Sequence, residues 1–160
     1  MLEPRRLAAK SIAMRMSELL KEEVGKTIGY RIRFETKVSE DTKIEVVTEG
    51  ILTRMLHGDN SLEGVGLVIF DEFHERSIHA DVALALCRES QQVLRPDLKI
   101  MVMSATLNMP QLTRSLKASV VESKGRQYPV DVFHTGDQDQ FLIPEMTANT
   151  VLKASKEHDG

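Results

Sequence analysis

A chain of 160 residues with 41% hydrophobic positions can build one domain with a real core but not two full ones. A net charge of −3 excludes a globally basic nucleic-acid binder, and a single cysteine, Cys87, excludes a disulfide framework and points to a reducing compartment. With no signal peptide and no apolar run of roughly eighteen residues, the sequence predicts a cytoplasmic protein with no membrane partner.

The chain opens with Met1-Leu2, read as the tail of a strand, and turns at Glu3-Pro4-Arg5-Arg6. From Leu7 onward Ala8, Ile12, Met16, Leu19 and Leu20 recur at helical spacing, predicting a helix to about Glu23. Residues 1–33 carry eight Lys/Arg against four Glu, a local excess that suits either a phosphate-contacting face or a solvated helix. Gly25-Lys26-Thr27 imitates the end of a phosphate-binding loop, G-x-x-x-x-G-K-[ST]. Counting back five from Gly25 reaches Leu20, inside the predicted helix, so no cradle of amides forms there, and the chain holds no other candidate.

Thr27 to Phe34 alternates as a strand does, Ser39–Thr42 is a polar turn, and Lys43 to Val47 is a further strand. Thr48 is the expected N-cap of a helix from Ile51 to His57 with Leu52, Met55 and Leu56 inward. The amides behind such a cap form an anion site. A loop at 58–61 leads to Leu67-Val68-Ile69-Phe70, four apolar residues that predict a short strand buried on both faces.

At the end of that strand stand Asp71 and Glu72. In an open α/β sheet the carboxyl ends of strands are where ligands bind. An Asp there can hold Mg²⁺ through water, and the next Glu can orient or deprotonate an attacking water, the division of labour that hydrolysis of ATP needs. The competing reading is a core strand followed by an acidic turn. His74-Glu75-Arg76-Ser77-Ile78-His79 misses the H-E-x-x-H zinc spacing by one residue.

A helix is predicted from Ile78 to Leu94 with Val82, Ala85, Leu86 and Val93 toward the sheet. Lys99 to Met103 is a second apolar strand, ending in Ser104-Ala105-Thr106, whose two hydroxyls can bond His74 or its loop. Asn108 with Gln111 reads as a capping box for a short helix through Leu116. Val120-Val121 is the expected last strand. A loop follows at 137–140, and Ile143 to Lys156 is a closing helix.

The string Asp71-Glu72-Phe73-His74-Glu75-Arg76-Ser77 resembles the DEAH-box helicases of superfamily 2. So do Leu2-Glu3-Pro4-Arg5-Arg6-Leu7-Ala8-Ala9, Val47-Thr48-Glu49-Gly50-Ile51-Leu52-Thr53-Arg54 and Ser104-Ala105-Thr106. The combination is most similar to the bacterial HrpB-type branch and runs through nearly the whole chain. The resemblance implies a RecA-like α/β fold with a mostly parallel sheet and helices on both faces. Residues 1–124 would belong to the first RecA-like domain, and 125–160 to the crossover and first helix of a second.

The resemblance also implies that Arg5 or Arg6, with Thr48, holds the backbone of single-stranded RNA, and that His74, Ser104 and Thr106 couple ATP hydrolysis to movement. The family's phosphate-binding loop, expected beside strand 100–103, has no counterpart in these residues. The chain is therefore expected to be the central part of a helicase, inactive alone, with an open sheet edge able to dimerise. The alternatives are a non-catalytic nucleic-acid-binding or interaction module, and a DNA translocase.

Overall fold

The computed structural model describes residues 1–105, 110–123, 125, 129–134, 136 and 139–157. They form two compact units, Met1–Ala118 and Ser119–Gly160.

The first unit is a sheet with helices on both faces. Its strands are β1 (Ile28–Ile32), β2 (Glu35–Lys37), β3 (Ile44–Val47), β4 (Leu67–Phe70) and β5 (Lys99–Val102). β1 lies between β2, which is antiparallel to it, and β3, which is parallel; β4 and β5 form a separate parallel pair. Leu2 joins the two groups, bridging Val47 on one side and Phe70 on the other, both in parallel sense. Its amide donates to the Ile69 carbonyl at 2.7 Å and its carbonyl accepts from Asp71 at 3.0 Å. The opening residues thus act as the strand tail expected of them, at the middle of the sheet.

Alternation along β3 sends Val46 to one face and Val47 to the other. Val46 joins Ile28, Tyr30 and Ile32 beneath α1 (Arg6–Leu20). Val47 joins Leu2, Val68, Phe70 and Leu98 beneath α2 (Glu49–Gly58) and α3 (Ile78–Val93). Phe70 and Val68 are buried, but Leu67 is 42% exposed and Ile69 only half-buried. The expectation of a strand buried on both faces fails here. The cluster that α1 covers draws on β1 and β3, and contains no residue of β4.

The inward face of the longest helix also differs from that expected. α3 buries Ala80, Ala83, Leu84, Cys87 and Ser90, whereas Val82, Ala85 and Val93 are exposed and Leu86 half-buried. α1 buries Ala9, Ala13 and Ser17, while Leu19 and Leu20 face outward. Small side chains let a helix approach its neighbour closely, and the bulkier ones flank the contact.

Two further features fix the strand ends. β2 was not foreseen from the sequence; it folds back onto β1 because Gly29 leaves room for it. A Cβ there would lie 2.4 Å from the Lys37 carbonyl oxygen. Arg95 ties the loop before β4 by donating to the carbonyls of Ser61, Leu62 and Val65 at 3.0–3.2 Å. Its bond to Asp97 pulls that carboxyl from its ordinary 3.8 to about 2. A short helix α4 (Pro110–Leu116) docks on α3, where Arg88 donates to the Ser115 and Leu116 carbonyls. The cap expected from Asn108 lies outside the described residues.

In the second unit a 3₁₀ turn (Gln140–Leu142) leads into α5 (Ile143–Glu157), with the Asp139 side chain accepting from the Phe141 amide. The strand expected at Val120-Val121 is absent among the described residues, and both valines are exposed. A two-residue apolar run with no neighbour to complete its ladder gains nothing from an extended form.

Candidate functional site

The acid loop leaves the sheet at its carboxyl edge and is held there by backbone bonds. Met103 donates to the Phe70 carbonyl at 2.8 Å, and Phe73 donates back to Met103 at 3.1 Å. The Phe73 ring is buried edge-on to Phe70, centroids 6.2 Å apart, and anchors the 3₁₀ turn Phe73–Glu75. Glu72, just before it, sits in the left-handed region at φ 49°, ψ 34°. A non-glycine residue there costs on the order of 1–3 kcal/mol, and such strain clusters where a side chain must be aimed.

The Glu72 carboxylate lies 3.2 Å from His74 Nδ1, and the Ala105 amide also reaches Nδ1, at 3.4 Å. One ring nitrogen cannot serve both: protonated, it donates to Glu72; unprotonated, it accepts from Ala105. His74 therefore stands between the acid and the strand end that carries Ser104, which also has a partner of its own. Thr106 lies outside the described residues.

Asp71 is half-buried and its Oδ1 accepts the Glu72 amide at 2.9 Å. A carboxylate has further lone pairs for the water shell of a hard divalent cation. Its donor chemistry fits Mg²⁺ held through water.

A second feature opens beside the start of α1. A groove of about 800 Å³ is lined by Arg6, Arg33, Phe34, Glu35, Thr48, Gly50 and Arg54, among others. Thr48 occupies the N-cap position of α2, but its hydroxyl makes no capping bond, so the expected cap exists in backbone form only. Phe34 is 89% exposed, with the Arg33 guanidinium 4.7 Å from its ring centroid. Three guanidinium groups, an exposed aromatic ring and a helix N-terminus suit a single-stranded nucleic acid, phosphate by phosphate and base by base. Arg6 and Thr48 are thus brought together.

Arg5 is not in that set. It pairs with Glu75 at 2.7 Å and so ties the turn before α1 to the acid loop. Ser77 makes a second tie: it accepts from the His79 and Ala80 amides as the N-cap of α3 and donates to Glu49 on α2 at 2.8 Å. Gly25-Lys26-Thr27 lies between α1 and β1, with the Thr27 amide facing the Glu22 carboxylate at 3.3 Å. That is no place for a phosphate.

Sequence reasoning missed Arg33, Phe34, Arg54 and Glu3. Phe34 carried a signal, a bulky aromatic after Arg33 where a strand gives way to polar residues. Glu3 carried none. It is only 3% exposed, and burial, reinforced by the negative charges of Asp71, Glu72 and Glu75, raises its carboxyl above the ordinary range against the pull of the Arg5 amide.

Sheet, acid loop and basic groove together define a RecA-like helicase layer. The chain belongs to the DEAD/DEAH box helicase family, whose model matches residues 1–115. It is 57% identical over 132 residues to the ATP-dependent RNA helicase HrpB of Escherichia coli, covering 82% of this chain and 16% of that protein. It is 39% identical over 143 residues to mouse ATP-dependent RNA helicase DHX33, covering 86% and 20%. A crystal structure of E. coli DEAH/RHA helicase HrpB superposes with a TM-score of 0.84 at 49% identity, over 95% of this chain and 20% of that one. The chain thus spans a fifth or less of the length of these relatives.

Proposed function

We propose that this chain is the part of an ATP-dependent RNA helicase's first RecA-like domain that activates water and grips one strand of RNA. Residues 125–160 are read as the crossover and first helix of the next domain. The observation that carries the proposal is a pair of ties from the acid loop and the turn after it to residues that adjoin the groove: Glu75 to Arg5, next to Arg6, and Ser77 to Glu49, between Thr48 and Gly50. A shift of the acid loop on hydrolysis would then be felt at the groove.

Glu72 acts as the base for the attacking water, and His74 Nδ1 either donates to its carboxylate or releases it and accepts from the Ala105 amide instead. Asp71 is the residue to hold Mg²⁺ through water, where the ion's chemistry is to neutralise charge on the phosphates. Arg6, Arg33, Arg54 and Thr48 hold phosphates without reading sequence, so binding is non-specific and salt-sensitive. Phe34 offers a face for a base. Ser104, after the end of β5, and Thr106 take the coupling role that the resemblance implies, relaying hydrolysis to movement. A reducing compartment, the cytoplasm, suits the buried free thiol of Cys87.

The test is steady-state ATP hydrolysis, with and without single-stranded RNA, by the 160-residue chain and by a longer chain that adds a phosphate-binding loop and the following domain. Positioning and electrostatics dominate this catalysis, so the 160 residues, lacking that loop, turn over at background rate and act as a binding module. The longer chain turns over, RNA stimulates it, and Glu72→Gln lowers it by about a hundredfold or more. Full turnover by Glu72→Gln would remove Glu72 from its role.

A further inference from the structure

Phe34 poses a problem that the groove does not solve. It is the second residue of a two-residue connection between β1 and β2, across the register pair Ile32↔Glu35, and its φ is +71°. Glycine or asparagine normally takes such a position, and a bulky residue with positive φ is a genuine outlier. β2 itself is three residues long and lies at the edge of its sheet. A strained, almost fully exposed ring on a short edge hairpin would be poorly held unless something else fixed it.

Glu35, the next residue, supplies the anchor. Its Oε1 accepts from the buried Tyr30 hydroxyl at 2.5 Å, and both its oxygens accept from Lys10 Nζ, at 2.8 and 3.1 Å. The same ammonium group sits 5.7 Å from the centroid of the Tyr30 ring. Three elements, α1, β1 and β2, therefore converge on the residue that follows Phe34. Lys10 also compensates the carboxylate that Glu35 brings to a groove whose other charged residues are arginines.

We infer that Lys10, Glu35 and Tyr30 are positioning residues that lock the Arg33–Phe34 turn in the conformation that presents its ring to a base of the bound strand. The inference rests on the reading of the groove as an RNA site. It adds that base-dependent affinity is controlled by groups that hold the turn and stack on no base.

The readout is the ratio of two affinities, measured by fluorescence anisotropy on the 160-residue chain: a labelled uridine oligomer against an abasic oligomer of equal length. Stacking on one aromatic ring is worth on the order of a five- to hundredfold change in affinity. Phe34→Ala is expected to bring the ratio close to one with little change in abasic binding. Glu35→Gln is expected to lower the ratio nearly as far, while abasic binding holds or tightens because a negative charge has left the groove. Lys10→Arg, which can still bond the carboxylate, retains the ratio.

A general loss of structure would weaken both oligomers together, so it cannot imitate this split. If Glu35→Gln unfolds, Tyr30→Phe decides instead, since it keeps the buried ring and removes one bond; a partial fall in the ratio is expected. A fall for Phe34→Ala with wild-type ratios for Glu35→Gln, or for Tyr30→Phe where that variant decides, overturns the inference and leaves the groove standing. No effect of Phe34→Ala, or no binding of either oligomer at low salt, overturns the groove reading and this inference with it.

Discussion

A helix start separates two arginines that the sequence presents as equivalent. Arg5 is the N-cap residue of α1, extended at φ −102° and ψ 126°, and its side chain turns to Glu75. Arg6 is the first helical residue and lines the groove. No pattern in Pro-Arg-Arg could distinguish them, because the partner that claims Arg5 lies seventy positions on. Each phosphate neutralised on a single strand adds about 0.7 to the slope of log affinity against log salt. Arg6→Ala is therefore expected to weaken RNA binding several-fold and flatten that slope by about 0.7. Glu75→Gln should do the opposite, steepening it as Arg5 becomes available to a phosphate. Anisotropy titrations over a salt series decide, and unchanged slopes in both variants would take both arginines out of the interface. The closeness of Asp71, Glu72 and His74, by contrast, was legible, since adjacency in the chain at a strand end is already adjacency in space.

The helices were legible as helices, and α2 buries the Leu52 and Leu56 face expected of it, but α3 was misread as a surface. Periodicity at 3.6 residues survives in α1 and α3, but ranking residues by apolar bulk picks a face rotated from the buried one. The contact is made by alanines, one leucine, a cysteine and two serines. Burial follows closeness of approach, and small residues allow it. This leaves Ser17 and Ser90 with hydroxyls that are buried and find no hydrogen-bond partner among the described residues. A buried hydroxyl without a partner costs on the order of 1–3 kcal/mol, and serine is also the poorer helix former. Ser17→Ala is expected to stabilise the fold by about 1 kcal/mol, read as a higher urea midpoint at unchanged m-value. A lower midpoint would mean that the hydroxyl is satisfied, by water or otherwise. Hydrogen-bond satisfaction at such a site is set by packing, which one sequence does not encode locally.

For the molecule as a whole, four of the five strands among the described residues were readable, but β2 and the strand order were not. Leu2 occupies the middle of the sheet between β3 and β4, a pairing across more than forty residues that leaves no local trace. That order puts β5 at one side, paired to β4, and among the described residues no strand completes its outer edge. Edge strands that stay monomeric are usually blunted by charge, proline or a bulge. β5 has Lys99 as its one charge, and Met101 is 47% exposed next to the half-open Leu67 and Ile69. Open amides and an apolar face therefore coincide, and a second copy adding its own β5 would satisfy both about a two-fold axis. The 160-residue chain is expected to pass from monomer to dimer as its concentration rises, followed by light scattering on a sizing column. Met101→Lys should return it to monomer by placing a charge at the centre of the contact. Monomer at every concentration would show that four residues of edge are too short to hold a partner, and a dimer that survives Met101→Lys would place the interface elsewhere.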